Sequence, residues 1–139
     1  MQVDDYTEQA STTNLMGNNK LYHFLGLVSE IGELAPYIRS DDYEIQALLD
    51  GIASYGRHAD KAAKLMRNDN IHYQYTIMTT SEGYMTYDAF KKELGDIAWF
   101  FSQFIKSCDL LFSDVLQINL DKLRDRKVRN MLKGSGDFR

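Results

Sequence analysis

The chain contains few of the residues that cross-link or interrupt a polypeptide. Its 139 residues include one cysteine, Cys108, which excludes an intramolecular disulfide and fits a reducing compartment. Cys108 lies in an apolar run, so we expect it to be buried. The one proline is Pro36, and no Ser/Gly-rich linker divides the chain. Helices can therefore run long, and we expect a single domain spanning residues 1–139.

Long apolar runs and an excess of basic charge are also missing. No run approaches the roughly 20 residues that a membrane span needs. The acidic start, MQVDDYTEQA, lacks the charged-then-apolar pattern of a secretory signal. The formal net charge of -4 disfavours a stable nucleic-acid partner, which would need a broad basic surface. These absences predict a cytoplasmic protein without a membrane partner.

Apolar periodicity predicts an all-α helical bundle. The second helix should end or kink at Pro36. A segment rich in Tyr, Thr and Ile around a Ser-Glu-Gly turn predicts a loop or short hairpin near 71–86. The helices are expected at 4–17, 20–36, 43–67, 87–107 and 112–131.

Two predicted helices carry acidic pairs with three-residue spacing. Glu30 and Glu33 fall opposite the apolar stripe of the second helix, a position that also suits a merely solvated face. That stripe is expected to face the core and consists of Leu21, Phe24, Leu25, Val28, Ile31 and Ala35. Glu93 falls inside the apolar arc of the fourth helix, and Asp96 lies at the edge of that arc. The arc is expected to face the core and consists of Phe90, Leu94, Ile97, Phe101, Phe104 and Ile105. A buried glutamate needs a cation, a metal or a proton, so Glu93 is the more informative residue.

The spacing of these pairs suits a metal site. Residues three apart on a helix have Cβ atoms about 5–6 Å apart, so both carboxylates can face one point. An all-oxygen ligand set favours Mg²⁺ or Mn²⁺ over zinc. Glycines accompany both pairs, and we expect Gly26, Gly32 and Gly95 to keep bulk from the ions or to let backbones approach closely.

The last helix carries a basic strip beside its apolar stripe of Leu116, Leu120 and Leu123. One interpretation is a margin of snorkelling side chains. The other is a clamp for polyphosphate, because arginine forks match phosphate oxygens. The strip consists of Asn119, Lys122, Arg126 and Arg129.

The motifs, taken in order, resemble those of MazG-like nucleoside triphosphate pyrophosphohydrolases, in the short form often encoded by bacteriophages. The resemblance rests on E-x-x-E at 30–33, E-L-G-D at 93–96, N-L-x-K-L-R-D-R at 119–126 and the ending G-S-G-D-x-R. It implies an all-α fold and Mg²⁺-dependent cleavage of a nucleoside triphosphate to the monophosphate and pyrophosphate. It also implies a homo-oligomer, a dimer or tetramer, and host cytoplasm as the location of a phage-encoded protein.

The resemblance also assigns roles to residues. By motif, Glu30, Glu33, Glu93 and Asp96 are expected to be the metal ligands at the catalytic site. Lys122 and Arg126 are expected to contact phosphate, and Asn119 to contact the nucleoside or phosphate.

Two features depart from the family pattern. An insertion of about twenty residues, around 37–58, follows the first acidic motif, and Phe138 stands where a polar residue is expected. Trp99 is expected in the core, and the tyrosines of the loop are expected at a subunit interface.

Two alternatives to a general nucleoside triphosphate pyrophosphohydrolase stay open. One is a non-catalytic helical nucleotide- or protein-binding module, and the other is a relative that acts on dUTP, phosphoribosyl-ATP or an alarmone.

Overall fold

The computed structural model of the protein describes residues 2–132, and within that range every regular element is helical. The predicted all-α fold is confirmed. Residues 71–86 form a loop with one isolated bridge between Thr80 and Thr86. In the described range no helix is long and apolar enough to cross a membrane. The helices are α1 (Val3–Ser11), α2 (Lys20–Leu34), a 3₁₀ helix (Ala35–Tyr37), α3 (Tyr43–Asp69), α4 (Tyr87–Ser107) and α5 (Phe112–Val128).

Three helices, α2, α3 and α4, start where the sequence predicts because polar side chains cap them. The Asn19 side chain accepts a hydrogen bond from the Tyr22 backbone N–H, and Asp42 and Thr86 cap α3 and α4 in the same way. At its other end α3 stops at Asn70, whose φ of 56° places it in the left-handed region that commonly terminates helices.

Four predicted helix ends differ from the structure, and two of them differ only in the last turn: α3 runs to Asp69 rather than residue 67, and α5 stops at Val128 rather than residue 131. α1 was expected to reach residue 17 but ends at Ser11. The Thr13 hydroxyl donates to the Ala10 carbonyl at 2.7 Å, and Gly17 has a φ of 54°, which a helix cannot accommodate. α2 ends at Leu34, and the chain passes Pro36 as a 3₁₀ turn, because proline cannot continue the α-helical hydrogen-bond ladder.

The described chain divides into two compact units. One contains residues 2–13 and 75–130, in which α5 packs against α1 and α4, with Ile105 and Leu120 buried. The other contains residues 14–74 and 131–132, in which α2 packs along α3. Its core is formed by small and flexible side chains, chiefly Ala59, Ala63 and Met66.

The expected core stripe of α4 is exposed. Its residues Phe90, Leu94, Ile97, Phe101 and Phe104 are 39–49% accessible, and Ile105 is the buried residue of the helix. Helical periodicity identifies an apolar face but does not identify what covers it. The prediction that this stripe is core is therefore wrong for the single chain.

Other expected core residues are exposed as well. Trp99 is 58% accessible, and the Cys108 thiol is exposed rather than buried. On α2 the expected stripe is only partly covered, since Phe24 and Ile31 are exposed while Ala35 is buried. The α5 stripe does face the core, with Leu120 buried and Leu116 and Leu123 partly buried.

Candidate functional site

The first acidic pair lies beside the packed face of α2. Glu30 and Glu33 are both exposed, while their neighbours Ser29 and Gly32 are buried. Glu33 lines a cavity shared with α3, so it does not lie on a plain solvated face. The pair therefore stands at the border between solvent and the α2–α3 contact.

A cavity of about 350 Å³ lies between α2 and α3. The α2 side contributes a hydroxyl and a carboxylate, and the α3 side contributes a guanidinium and a second carboxylate. Ligand pockets in proteins typically begin at about 300 Å³, so the cavity can admit a small molecule. Its walls are Ser29, Gly32, Glu33 and Pro36 on one side and Ala53, Gly56, Arg57 and Asp60 on the other.

The charged groups of the cavity differ in how they are paired. The Asp60 carboxylate forms an ion pair with the Lys64 ammonium at 2.6 Å. Neither Glu33 nor Arg57 makes an ion pair with any residue between 2 and 132, and within the same range the Ser29 hydroxyl makes no hydrogen bond. The cavity thus presents one carboxylate, one guanidinium and one hydroxyl to an incoming ligand.

A pair of glycines sets the distance between the two cavity walls. A Cβ built on Gly32 would lie 2.5 Å from the Gly56 Cα, and one built on Gly56 would lie 2.6 Å from the Gly32 Cα. The expectation of close backbone approach is therefore confirmed for Gly32. Gly26 and Gly95 show no such approach, because an added Cβ would meet no atom of the described chain within 4 Å, and for them the alternative of keeping bulk from the ions stays a prediction.

The second acidic pair lies on α4 in the other compact unit. Glu93 and Asp96 are exposed, so the burial expected for Glu93 is wrong for the single chain, for the same reason as its apolar neighbours. Each acidic pair therefore lies on one turn of a single helix, the first on α2 and the second on α4. Within residues 2–132, no group of three or more His, Cys, Asp or Glu side chains is placed to hold a metal ion.

The basic strip on α5 contains residues in three different environments. Arg126 is 5% exposed, so it belongs to the interior of its unit rather than to a snorkelling margin. Lys122 is partly buried one turn earlier. Arg129 is exposed, and its Nη2 lies 2.8 Å from the Asp125 carboxylate. A cation in the last turn of a helix also interacts favourably with the helix dipole.

Asn119, the first residue of the strip, is held by α1. The Tyr6 hydroxyl on α1 donates a hydrogen bond to Asn119 Oδ1 on α5 at 2.7 Å. A second hydrogen bond joins the same two helices, from Arg124 on α5 to the Gln9 side chain on α1. Burial raises the pKa of the Tyr6 phenol above its ordinary value, so the phenol stays a hydrogen-bond donor at neutral pH. This contact leaves the Asn119 amide nitrogen as the group available to a ligand.

Sequence reasoning missed Ser29, Arg57, Asp60 and Tyr6. Two signals in the sequence could have indicated the first three. Gly56 lies next to Arg57 and near Asp60, and a glycine inside a helix indicates close backbone approach. Ser29 directly precedes the first acidic motif. Tyr6 had no such signal, because its partner is 113 residues away in the chain. The expected contacts of the G-S-G-D-x-R ending, with Phe138, lie outside the described residues.

Comparison with known proteins identifies one phage relative. The chain is similar to the Gene 37 protein of Mycobacterium phage L5, with 33% identity over 88 residues, which cover 63% of this chain and 69% of the relative. The chain belongs to the family of that phage protein. No protein-family model matches the chain, and no solved structure matches it significantly. The name of this relative states no activity.

Proposed function

We propose that the protein is a Mg²⁺-dependent nucleoside triphosphate pyrophosphohydrolase that releases the nucleoside monophosphate and pyrophosphate. The observation that carries the proposal is the combination of two acidic pairs, each on one helical turn, with a basic strip on α5. Carboxylates at this spacing suit a hard divalent cation, and arginine and lysine suit the phosphates. The family of the Gene 37 protein supports a phage origin, for which host cytoplasm is the proposed location.

Each residue has a proposed task. Glu30, Glu33, Glu93 and Asp96 would hold Mg²⁺, or Mn²⁺ in its place, and their all-oxygen chemistry fits either ion. When bound, the ion would neutralise triphosphate charge and polarise the phosphoryl group that water attacks. Lys122 and Arg126 neutralise phosphate oxygens. Asn119 donates its amide N–H to the nucleotide, with Tyr6 fixing its orientation.

The proposed active form is a homo-oligomer. The apolar arc of α4 is 39–49% exposed at five positions, and Phe100 beside it is 69% exposed. Contiguous exposed apolar surface of this kind usually marks an interface. Packing of α4 against a second copy would also desolvate Glu93, which lies within that arc. A cation at this carboxylate would offset the cost of that desolvation.

The test is hydrolysis of the four dNTPs, of dUTP, phosphoribosyl-ATP and an alarmone, with and without Mg²⁺. We expect pyrophosphate as the product with Mg²⁺ and no turnover after its removal. Glu93→Gln and Lys122→Ala should each lower kcat/KM at least tenfold, because each removes a charge-assisted contact. Lys127→Ala, an exposed cation on the same helix, is the matched control for Lys122. Absence of turnover on every substrate would favour a non-catalytic binding module instead.

A further inference from the structure

The cavity between α2 and α3 is lined by three polar side chains that have no side-chain partner within residues 2–132. Ser29 is 4% exposed, and its hydroxyl makes no hydrogen bond within that range. Glu33 and Arg57 line the same cavity, and neither forms an ion pair there. Ser29 lines the cavity, so its hydroxyl can exchange a hydrogen bond with a molecule bound there.

The charges around the cavity select the kind of ligand. Asp60 is neutralised by Lys64 at 2.6 Å, which leaves one carboxylate and one guanidinium of opposite sign. A bare anion would be attracted by Arg57 but repelled by Glu33, and a bare cation would experience the reverse. A phosphate group complexed with a divalent cation satisfies both, since carboxylates bind Mg²⁺ and arginine forks bind phosphate oxygens.

We propose that Arg57 and Ser29 bind phosphate oxygens of a magnesium-complexed polyphosphate whose cation contacts Glu33. This assignment rests on the proposed function and extends it, because neither residue belongs to the motifs that carry the family resemblance. Arg57 lies in the 37–58 insertion, on α3. The inserted helix therefore supplies one wall of the phosphate site, and small residues at Gly32, Ala53 and Gly56 keep that site open.

The test is calorimetric binding of pyrophosphate in the presence of Mg²⁺ to the full chain. Arg57→Gln should weaken binding about tenfold or more, because it removes a charge-assisted hydrogen bond. Arg57→Lys should fall between the wild type and Arg57→Gln, since the charge remains but the fork is lost. Ser29→Ala should weaken binding by a smaller factor. Arg39→Gln is the matched control, because Arg39 is exposed and lies outside the cavity wall.

Parallel dNTP hydrolysis separates this proposal from the proposed function. Unchanged binding and KM in Arg57→Gln, in a protein that hydrolyses dNTPs, would overturn the phosphate site and leave the function standing. Arg57-dependent binding of magnesium pyrophosphate without hydrolysis would support the site and overturn the function. Failure of the wild type to bind would overturn the site. Binding of glycine, a zwitterion with both charges, in place of pyrophosphate would overturn the phosphate assignment.

Discussion

Gly32 and Gly56 bring the backbones of α2 and α3 into direct contact, because a Cβ on either residue would lie within 2.6 Å of the other Cα. The same contact places Glu33 and Arg57, the residues that follow each glycine, on the walls of one cavity. Glycine costs about 1 kcal/mol relative to alanine inside a helix. The crossing therefore explains why both helices retain a residue that weakens them locally.

The glycine contact predicts opposite effects for two similar substitutions. Gly32→Ala should lower the free energy of unfolding by about 1–3 kcal/mol, because the methyl group forces the helices apart. Gly26→Ala, on the same helix with no described atom within 4 Å of the new Cβ, should raise it by up to about 1 kcal/mol. Urea unfolding of both variants measures the difference. Equal unfolding free energies for the two variants would contradict the close contact between α2 and α3 at Gly32.

The Tyr6–Asn119 hydrogen bond predicts a measurable coupling between α1 and α5. Tyr6→Phe should destabilise the protein by about 0.5–1.5 kcal/mol, the usual net value of such a bond. Tyr43→Phe is the control, because Tyr43 is 86% exposed and makes no hydrogen bond through its side chain in the described range. A double-mutant cycle with Asn119→Ala should give a non-additive result. Additive effects would mean that the two side chains do not interact.

The two arginines at the end of α5 should respond differently to truncation. Arg126→Ala should lower the unfolding free energy by more than about 2 kcal/mol, because Arg126 is 5% exposed and its removal leaves a void in the interior. Arg129→Ala should cost less than about 1 kcal/mol, since its pair with Asp125 is largely exposed. The melting temperatures of the two variants, measured by thermal unfolding, test this difference. Arg126→Ala is consequently a poor test of phosphate binding, for which Lys122→Ala is cleaner.

The exposed arc of α4 predicts self-association. Sedimentation should detect an oligomer, and Phe100→Lys should shift it towards monomer by placing a charge in the contact. Val128→Lys, on α5 at a residue that is 86% exposed, is the control and should leave the mass unchanged. If the wild-type protein remains monomeric at all concentrations, α4 does not form a subunit interface.

The sequence alone predicts where three of the helices start, but it does not predict which helix faces are buried in the folded chain. Asn19, Asp42 and Thr86 are local signals, and each caps a helix at the predicted position. Periodicity predicts the α4 face to be core because it identifies an apolar stripe without identifying the surface that covers it. The acidic pairs were visible as spacing along one helix. Arg57 was not, because its relation to Glu33 depends on how two helices cross.

The hydrogen bond from Tyr6 to Asn119 has a consequence for synthesis of the chain. Residues 14–74, with α2 and α3, form contacts that are close in sequence, and they can close soon after emerging from the ribosome. α1 is translated before this helical hairpin, yet its partner on α5 arrives 113 residues after it. We therefore expect α1 to acquire protection from amide hydrogen exchange last, after the helical hairpin that follows it has already formed.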